Sequence, residues 1–192
     1  GVSLRAVLAM ASHVARVNIL ALDLGQHCGW ALAEGGRVES GVQVFDVKRG
    51  ESPGMRWLHF RRWLAEIAMV EHASGGGTAD RPGAQRVVYF LPRVELIVWE
   101  ATHHRGGAAT HVGVNFAGRV EEFCAQNKIE HASVHTATIK KFATGSGRGD
   151  KGAMIAAVQR RGWAAHVVEP LDDNHADALA LLHYALEELV PK

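Results

Sequence analysis

The sequence predicts an α/β fold, with a five-stranded mixed sheet flanked by helices. Two uninterrupted apolar runs, Ile19 to Leu22 and Leu96 to Trp99, are typical of strands that are buried on both faces in the middle of such a sheet. Segments with helical spacing of apolar residues follow these runs along the chain. With 192 residues, the chain is long enough to form one domain with a substantial core.

The order of the segments fills out this architecture. Strands are expected at 19–23, 30–33, 38–47, 94–100 and 129–135, the first three as a meander. Helices are expected at 52–72, at 108–127, from Thr136, at 150–161 with Asp150 as N-cap, and at 173–189. Together they make a single domain over 17–189. We expect 1–16 to be a non-catalytic N-terminal extension, and 73–93 to be an insertion loop with a short strand at Val87 to Leu91.

Composition excludes several classes of function. The net charge is only +1, so the overall charge of the chain does not indicate binding to a polyanion. Any basic surface that binds one must be a local patch. No apolar run is long enough to span a membrane. The two cysteines, Cys28 and Cys124, are far apart without ligand spacing, which predicts reduced thiols and a cytoplasmic protein.

Two strands end in a carboxylate. Asp23 closes the first strand and is followed by a turn between Gly25 and Gly29, and Glu100 closes a later strand. A buried carboxylate is costly unless it is paired, hydrogen-bonded or bound to a metal. An RNase H-like sheet presents its first metal-binding acid in this way, and actin-like ATPases hold a nucleotide phosphate with a similar strand and turn. If the two strands end at the same edge of the sheet, these acids can meet.

The last predicted helix begins with further acids. Asp173 and Asp177 are four residues apart and therefore share a helical face. The helix dipole, or a capping role, explains Asp173 alone. It does not explain Asp177, which stands among core-side apolar residues. With Asp23 and Glu100 these acids make a carboxylate cluster suited to two Mg²⁺ ions, with Mn²⁺ as a substitute.

A local basic patch accompanies the acids. Between Thr136 and Arg161 there are six Lys or Arg residues against one acid. Glycines let the backbone approach a phosphate, and basic side chains supply charge. The expected DNA contacts are Lys140, Lys141, Arg148 and Lys151, with His103, His104 and Arg105 in the polar loop after Glu100.

These pieces together resemble the RuvC family of Holliday-junction resolvases, in its divergent phage and prophage branch, over roughly 17–189. The strongest part is Thr138 to Lys151, TIKKFATGSGRGDK, which is similar to the family's lysine–glycine–lysine segment. By resemblance, three of the family's four metal ligands correspond to Asp23, Glu100 and Asp177, and its lysines flanking the active site to Lys140 and Lys151.

The sequence departs from the family at two positions. At the position of the fourth ligand, where the family usually has an acid or a histidine, this chain has Asn174. Its two neighbours, Asp173 and His175, are the other candidates for this ligand. We favour Asp173, because it supplies the missing charge, with Asn174 as a carbonyl ligand the alternative. Where the family often has an aromatic wedge after the glutamate, this chain has His103, which could stack on a base.

The resemblance implies an RNase H-like fold and a Mg²⁺-dependent endonuclease that resolves Holliday junctions or other branched DNA, in DNA recombination and repair. It implies water as the nucleophile and paired phosphodiester hydrolysis, with Asp23, Glu100, Asp177 and Lys151 as catalytic residues. Asp173 joins this catalytic set as the favoured fourth ligand. Paired nicks predict a twofold homodimer, for which helix 108–127 is the candidate interface. The expected setting is the cytoplasm of a bacterium or a phage-infected host.

Two other functions stay open at this point. One is an actin-like nucleotide-binding domain built on the DLGQHCG stretch from Asp23 to Gly29. The other is a catalytically inactive module that binds branched DNA, whose chemistry has been lost at Asn174. Nucleotide-dependent thermal stabilisation would support the first, and tight binding of branched DNA without cleavage would support the second.

Overall fold

The computed structural model of the protein describes residues 17–74, 87–101 and 108–191. Its main sheet has five strands in the order β3-β2-β1-β6-β7. The first three form an antiparallel meander, whereas β1, β6 and β7 run parallel, so the predicted five-stranded mixed sheet is confirmed. The strands are β1 (Ile19–Asp23), β2 (His27–Glu34), β3 (Arg37–Val44), β6 (Leu96–Ala101) and β7 (Glu130–His135).

Helices cover both faces of this sheet. Alternate residues of β1 point to opposite faces, so Leu20 and Leu22 pack with α1 and α2, whereas Ile19 and Ala21 pack with α3, α4 and α5. No helix within the described ranges is both long and apolar enough to cross a membrane. The helices are α1 (Met55–Ala68), α2 (Ala108–Asn127), α3 (Thr136–Thr144), α4 (Lys151–Arg160) and α5 (Asp173–Tyr184).

The helix predicted at 52–72 is shorter in the structure. It begins after Gly54 and ends at Ala68, where Met69 adopts an extended conformation. Val70 continues the helical spacing of apolar residues in the sequence, but it lies in a strand and is 39% exposed. The buried positions of α1 are instead Phe60, Leu64 and Ala68.

The insertion predicted at 73–93 begins within a strand that was not predicted. The strand β4 (Met69–Ser74) pairs antiparallel with β5 (Val87–Pro92), and the two form a separate two-stranded sheet. The short strand expected at Val87 to Leu91 is therefore confirmed, and Pro92 is tolerated because it closes the strand. Residues 75–86 of the predicted insertion, and the extension 1–16, lie outside the described residues.

Other boundaries differ by a few residues. β2 begins at His27 rather than at residue 30, and β3 ends at Val44 rather than at residue 47. The last helix is α-helical only to Tyr184 and continues as a π-helical turn, Ala185–Leu189. Asp150 is confirmed as the N-cap of α4, because its side chain accepts a hydrogen bond of 2.8 Å from the Ala153 backbone N–H.

Candidate active site

Two predicted acids lie side by side at one edge of the main sheet. The strands β1 and β6 are parallel neighbours in which Leu22 is paired with Trp99, and Asp23 and Glu100 are the next residues of the two strands. Since side chains alternate along a strand, Asp23 lies on the same face as Ala21, which packs in the core that α5 covers. The fold therefore brings Asp23 and Glu100 together on the face covered by α5.

The first turns of α5 supply the other two acids. The N-cap of α5 is Asp172, whose side chain accepts a hydrogen bond of 2.8 Å from the His175 backbone N–H. The alternative interpretation of Asp173 as the cap is therefore wrong, and Asp173 is the first helical residue. Asp177 lies one turn later and is half-buried, between Ala176 and Ala178, which are fully buried.

A close contact at Gly29 sets the position of α5 over the sheet. Gly29 lies in β2 opposite Asp23. A Cβ atom added to Gly29 would lie 1.9 Å from the backbone oxygen of Asn174 and 2.4 Å from its carbonyl carbon. Only glycine leaves room for the first turn of α5 here. The turn predicted between Gly25 and Gly29 ends earlier, because Gly29 lies within β2. A glycine within a strand pattern often marks the close approach of another backbone, and this is the signal in the sequence that identifies it.

The electrostatics of the cluster show that the acids repel one another. Burial raises the pKa of Asp23 well above its ordinary value, and the charges of Glu100, Asp177 and Asp173 raise it further. Burial, and then the charge of Glu100, raises the pKa of Asp177 to about 7. Neither Asp23 nor Asp177 forms a side-chain hydrogen bond or ion pair with any residue that the structure describes. Among the described residues, no ion pair therefore neutralises either of these two carboxylates directly.

Two predicted lysines lie beside the acids. The Lys151 ammonium forms an ion pair with Asp173, which lowers the pKa of Asp173 and raises that of Lys151. Its side chain is 79% exposed, so the ammonium is accessible from solvent. The charge of Lys140 acts on Asp177 and lowers its pKa in opposition to burial. Both lysines therefore reach the cluster electrostatically.

Thr136 is a site residue that the sequence analysis missed. Its hydroxyl donates a hydrogen bond to the Glu100 carboxylate from the start of α3, the helix that carries Lys140. The contact joins the end of β6 to the helix that follows β7. A hydroxyl donor of this kind holds a carboxylate in one orientation, and its separation of 36 residues from Glu100 leaves no local signal in the sequence.

A second polar network anchors the other side of α5. The Ser40 hydroxyl lies 2.7 Å from Nε2 of His175 and 2.6 Å from Nε2 of His166, so it bridges the two imidazoles. This network lines a cavity of about 350 Å³, and none of the four clustered acids contributes to the lining of that cavity. His175 is 8% exposed and its Nε2 is engaged by Ser40. His175 is thereby directed to β3, which leaves Asp173 and Asn174 as the adjacent alternatives for a fourth ligand.

The donor set fits a hard divalent cation. Within 17–74, 87–101 and 108–191, no three His, Cys, Asp or Glu side chains are already converged as metal ligands. The four acids are nevertheless oxygen donors of the type that Mg²⁺ and Mn²⁺ prefer. Burial, followed by the charges of the neighbouring acids, raises the pKa of Asp23 and of Asp177, and a bound cation would favour the charged form of both carboxylates.

The remaining predicted contacts fall into two groups. Lys141, in the last turn of α3, and Arg148, in the segment that connects α3 to α4, are both exposed. The predicted residues His103, His104 and Arg105 lie outside the described residues. Arg161, one of the six basic residues of the patch, instead donates hydrogen bonds to the backbone oxygens of residues 142 and 143.

Comparison with known proteins identifies the fold. No protein-family model and no curated protein matches the chain. Among solved structures, that of Thermus thermophilus RuvC in complex with Holliday junction substrate covers 90% of this chain and 94% of its own, at 17% identity and a TM-score of 0.62. The fold is RNase H-like. A second structure of Thermus thermophilus RuvC covers 88% of this chain and 93% of its own, at 17% identity and a TM-score of 0.59. The expected fold is confirmed, and the chain has a RuvC-like architecture.

Proposed function

We propose that the chain is a metal-dependent endonuclease of the RuvC kind that hydrolyses phosphodiesters in four-way or otherwise branched DNA. One observation carries the proposal. Asp23, Glu100, Asp173 and Asp177 gather at one edge of the sheet, with the ammonium of Lys151 paired to Asp173. A solved structure of similar fold is that of RuvC with a Holliday junction, which favours branched DNA as the substrate.

The acids would hold the metal. Asp23, Glu100 and Asp177 are the proposed ligands, and Asp173 is preferred to Asn174 as the fourth because it contributes charge. When bound, two Mg²⁺ ions supply Lewis-acid activation of a phosphodiester and of the attacking water. The predicted ends are a 5′-phosphate and a 3′-hydroxyl.

Three contacts support the pre-organisation of these acids. The Thr136 hydroxyl orients Glu100, and the pairing of β1 with β6 fixes Asp23 beside it. The close approach of the Asn174 backbone to Gly29 sets the distance between β2 and the first turn of α5, the helix that carries the remaining acids. Groups held in position before the substrate binds lower the entropic part of the barrier.

The basic residues would bind the DNA backbone. Lys151 has a dual position: it neutralises Asp173 and its exposed ammonium can contact a phosphate beside the acids. Lys140, Lys141 and Arg148 extend this surface along α3 and the loop that follows it. Two coordinated nicks require two active sites, so we propose a homodimer. Roles in recombination and repair, and membership of the phage and prophage branch, stay predictions.

Synthetic DNA substrates test the proposal. Purified protein incubated in Mg²⁺ with a four-way junction, a flap and a linear duplex of the same sequence should nick the junction and spare the duplex. Substitution of Mn²⁺ should preserve the activity, and EDTA should abolish it. Tight junction binding without cleavage in either metal would favour an inactive binding module. Thermal stabilisation by ATP without cleavage would favour the actin-like alternative.

A further inference from the structure

Two imidazoles converge on one point beside α5. Nε2 of His166 lies 2.6 Å from the Ser40 hydroxyl oxygen, and Nε2 of His175 lies 2.7 Å from the same atom. The three residues belong to separate parts of the chain, since Ser40 lies in β3, His175 in the first turn of α5, and His166 in the segment between α4 and α5. The fold therefore directs two ring nitrogens from distant segments at a single position.

The Ser40 hydroxyl cannot bind both imidazoles in the same way. It carries one proton, so it donates to one Nε2 and accepts from the other, which must therefore be protonated. A metal ion instead accepts a lone pair from each Nε2, and it needs both rings in the tautomer that carries the proton on Nδ1. Rotation of the Ser40 side chain and transfer of one proton from Nε2 to Nδ1 would convert the hydrogen-bonded pair into a pair of nitrogen ligands.

The distances between these atoms are close to those of a metal site. Bonds between zinc and imidazole nitrogen are about 2.0–2.1 Å long, so each Nε2 would have to approach a shared ion by about 0.5 to 0.7 Å. His175 is only 8% exposed and is held by packing. His166 can make most of the approach, because it is exposed and lies outside the helices and strands.

The cavity beside the two imidazoles can supply the remaining ligands. It has a volume of about 350 Å³, and its lining includes Glu169 and Asp172 as well as both histidines. Protein-bound zinc is usually four-coordinate, and two histidines, a carboxylate and a water are one of its known ligand sets. Asp172 already caps α5, so the exposed Glu169 is the better third ligand. A cavity of this size has room for water as the fourth.

We infer that His166 and His175 form a binding site for Zn²⁺, whose coordination is completed by Glu169 and water. Imidazole suits Zn²⁺, whereas sites made of carboxylates suit Mg²⁺ and Mn²⁺. None of the four clustered acids lines this cavity, so the zinc site is distinct from the carboxylate cluster. Burial lowers the pKa of His166, which favours the neutral form that binds metal.

A zinc ion here would connect the segment before α5 to the helix itself. His175 lies next to Asn174 in the first turn of α5, the turn that also carries Asp173. An ion that binds the folded chain and not the unfolded chain raises the free energy of unfolding. Zinc binding and its effect on stability are measured without DNA. Their failure is therefore distinguishable from failure of the nuclease proposal.

Titration with Co²⁺ is the first test, because Co²⁺ substitutes for Zn²⁺ and absorbs visible light. Four-coordinate Co²⁺ absorbs strongly, whereas Co²⁺ bound by six oxygen ligands absorbs weakly. In excess Mg²⁺, the wild-type protein should develop a strong band that one equivalent of Zn²⁺ removes. We expect His166→Ala to weaken zinc binding by about tenfold to 100-fold or more, since loss of a ligand costs at least as much as loss of an outer-shell partner. His131→Ala is the matched control, because His131 is exposed and lies outside the cavity, and it should bind zinc like the wild type.

Ser40→Ala distinguishes a metal site from a simple hydrogen-bond network. Removal of the hydroxyl clears the point on which the imidazoles converge, so this variant should bind zinc at least as tightly as the wild type. Zinc should raise the melting temperature of the wild type and of Ser40→Ala but not of His166→Ala. Cooperative unfolding without metal would show that the variants fold. Absence of the strong cobalt band in the wild type, equal zinc affinity of His166→Ala, or weaker zinc binding by folded Ser40→Ala would overturn the inference.

Discussion

Replacement of Gly29 by alanine should disable the site without touching any of its acids. The added Cβ atom would lie 1.9 Å from the backbone oxygen of Asn174. Widening this contact to 3.0 Å, the shortest that real Cβ atoms show, requires a displacement of about 1.1 Å between β2 and the first turn of α5. The obstacle is backbone, so no side-chain rotation relieves it. That turn carries Asp173 and leads to Asp177, so both carboxylates would move relative to Asp23.

The size of the effect follows from this displacement. A misplacement of about 1 Å in a catalytic constellation costs roughly 100-fold in rate. Overpacking of this kind lowers the free energy of unfolding by about 1–3 kcal/mol. We therefore expect Gly29→Ala to fold with a lower melting temperature, to bind the junction, and to nick it about 100-fold more slowly in Mg²⁺. Single-turnover nicking and thermal unfolding measure the two quantities separately.

Gly25→Ala is the matched control for this experiment. A Cβ atom at Gly25 would be 3.5 Å from its nearest neighbour, which is ordinary van der Waals contact. It should therefore nick at close to the wild-type rate. Because the clash at Gly29 is with backbone, adding Asn174→Ala to Gly29→Ala should not restore activity. Equal nicking rates for the two glycine variants would refute the proposed positioning of α5 through Gly29.

Three further predictions concern charge in the site. Lys140→Ala and Lys151→Ala should each reduce the log–log salt slope of junction binding by about 1, as expected for one lost phosphate contact, and an unchanged slope would remove the lysine from the DNA surface. Asp173→Asn should damage Mg²⁺-supported cleavage more than Asn174→Ala does across a Mg²⁺ titration; the reverse ranking would make Asn174 the fourth ligand. The pKa of Asp177 is raised to about 7, so its protonated form is favoured in the folded state. The free energy of unfolding of the metal-free protein should therefore fall as the pH rises from about 5 to 8. In denaturant titrations, this fall should be larger than that of Asp177→Asn by roughly 2 kcal/mol. Equal falls for the two proteins would contradict the buried position of Asp177.

The acids at the strand ends were predictable because their signals are local. An apolar run followed by a carboxylate marks both Asp23 and Glu100, and parallel strands bring their ends to one edge. The start of α5 at Asp173 was predicted, but the alternative that Asp173 is its cap placed the cap one position too late, because Asp172 and Asp173 are equally good caps and the sequence does not distinguish them.

The missed features depend on contacts between distant segments. The strand β4 escaped prediction because Val70 continues the spacing of α1, while its pairing partner Leu91 lies beyond a long connection. The hydrogen bond between Ser40 and His175 joins residues that are 135 positions apart, so no local sequence pattern predicts it. Such contacts are set by packing of the folded chain, which overrides local propensity.

Cleavage of a labelled four-way junction by Asp23→Asn and Glu100→Gln, with binding measured on the same DNA, tests the central claim most directly. Each variant removes one proposed metal ligand but leaves Lys140 and Lys151 in place. The proposal predicts wild-type junction affinity with nicking in Mg²⁺ reduced by about 1,000-fold or more, as for loss of an essential catalytic group. Near-normal nicking by either variant would contradict the assignment of the carboxylate cluster as the nuclease site.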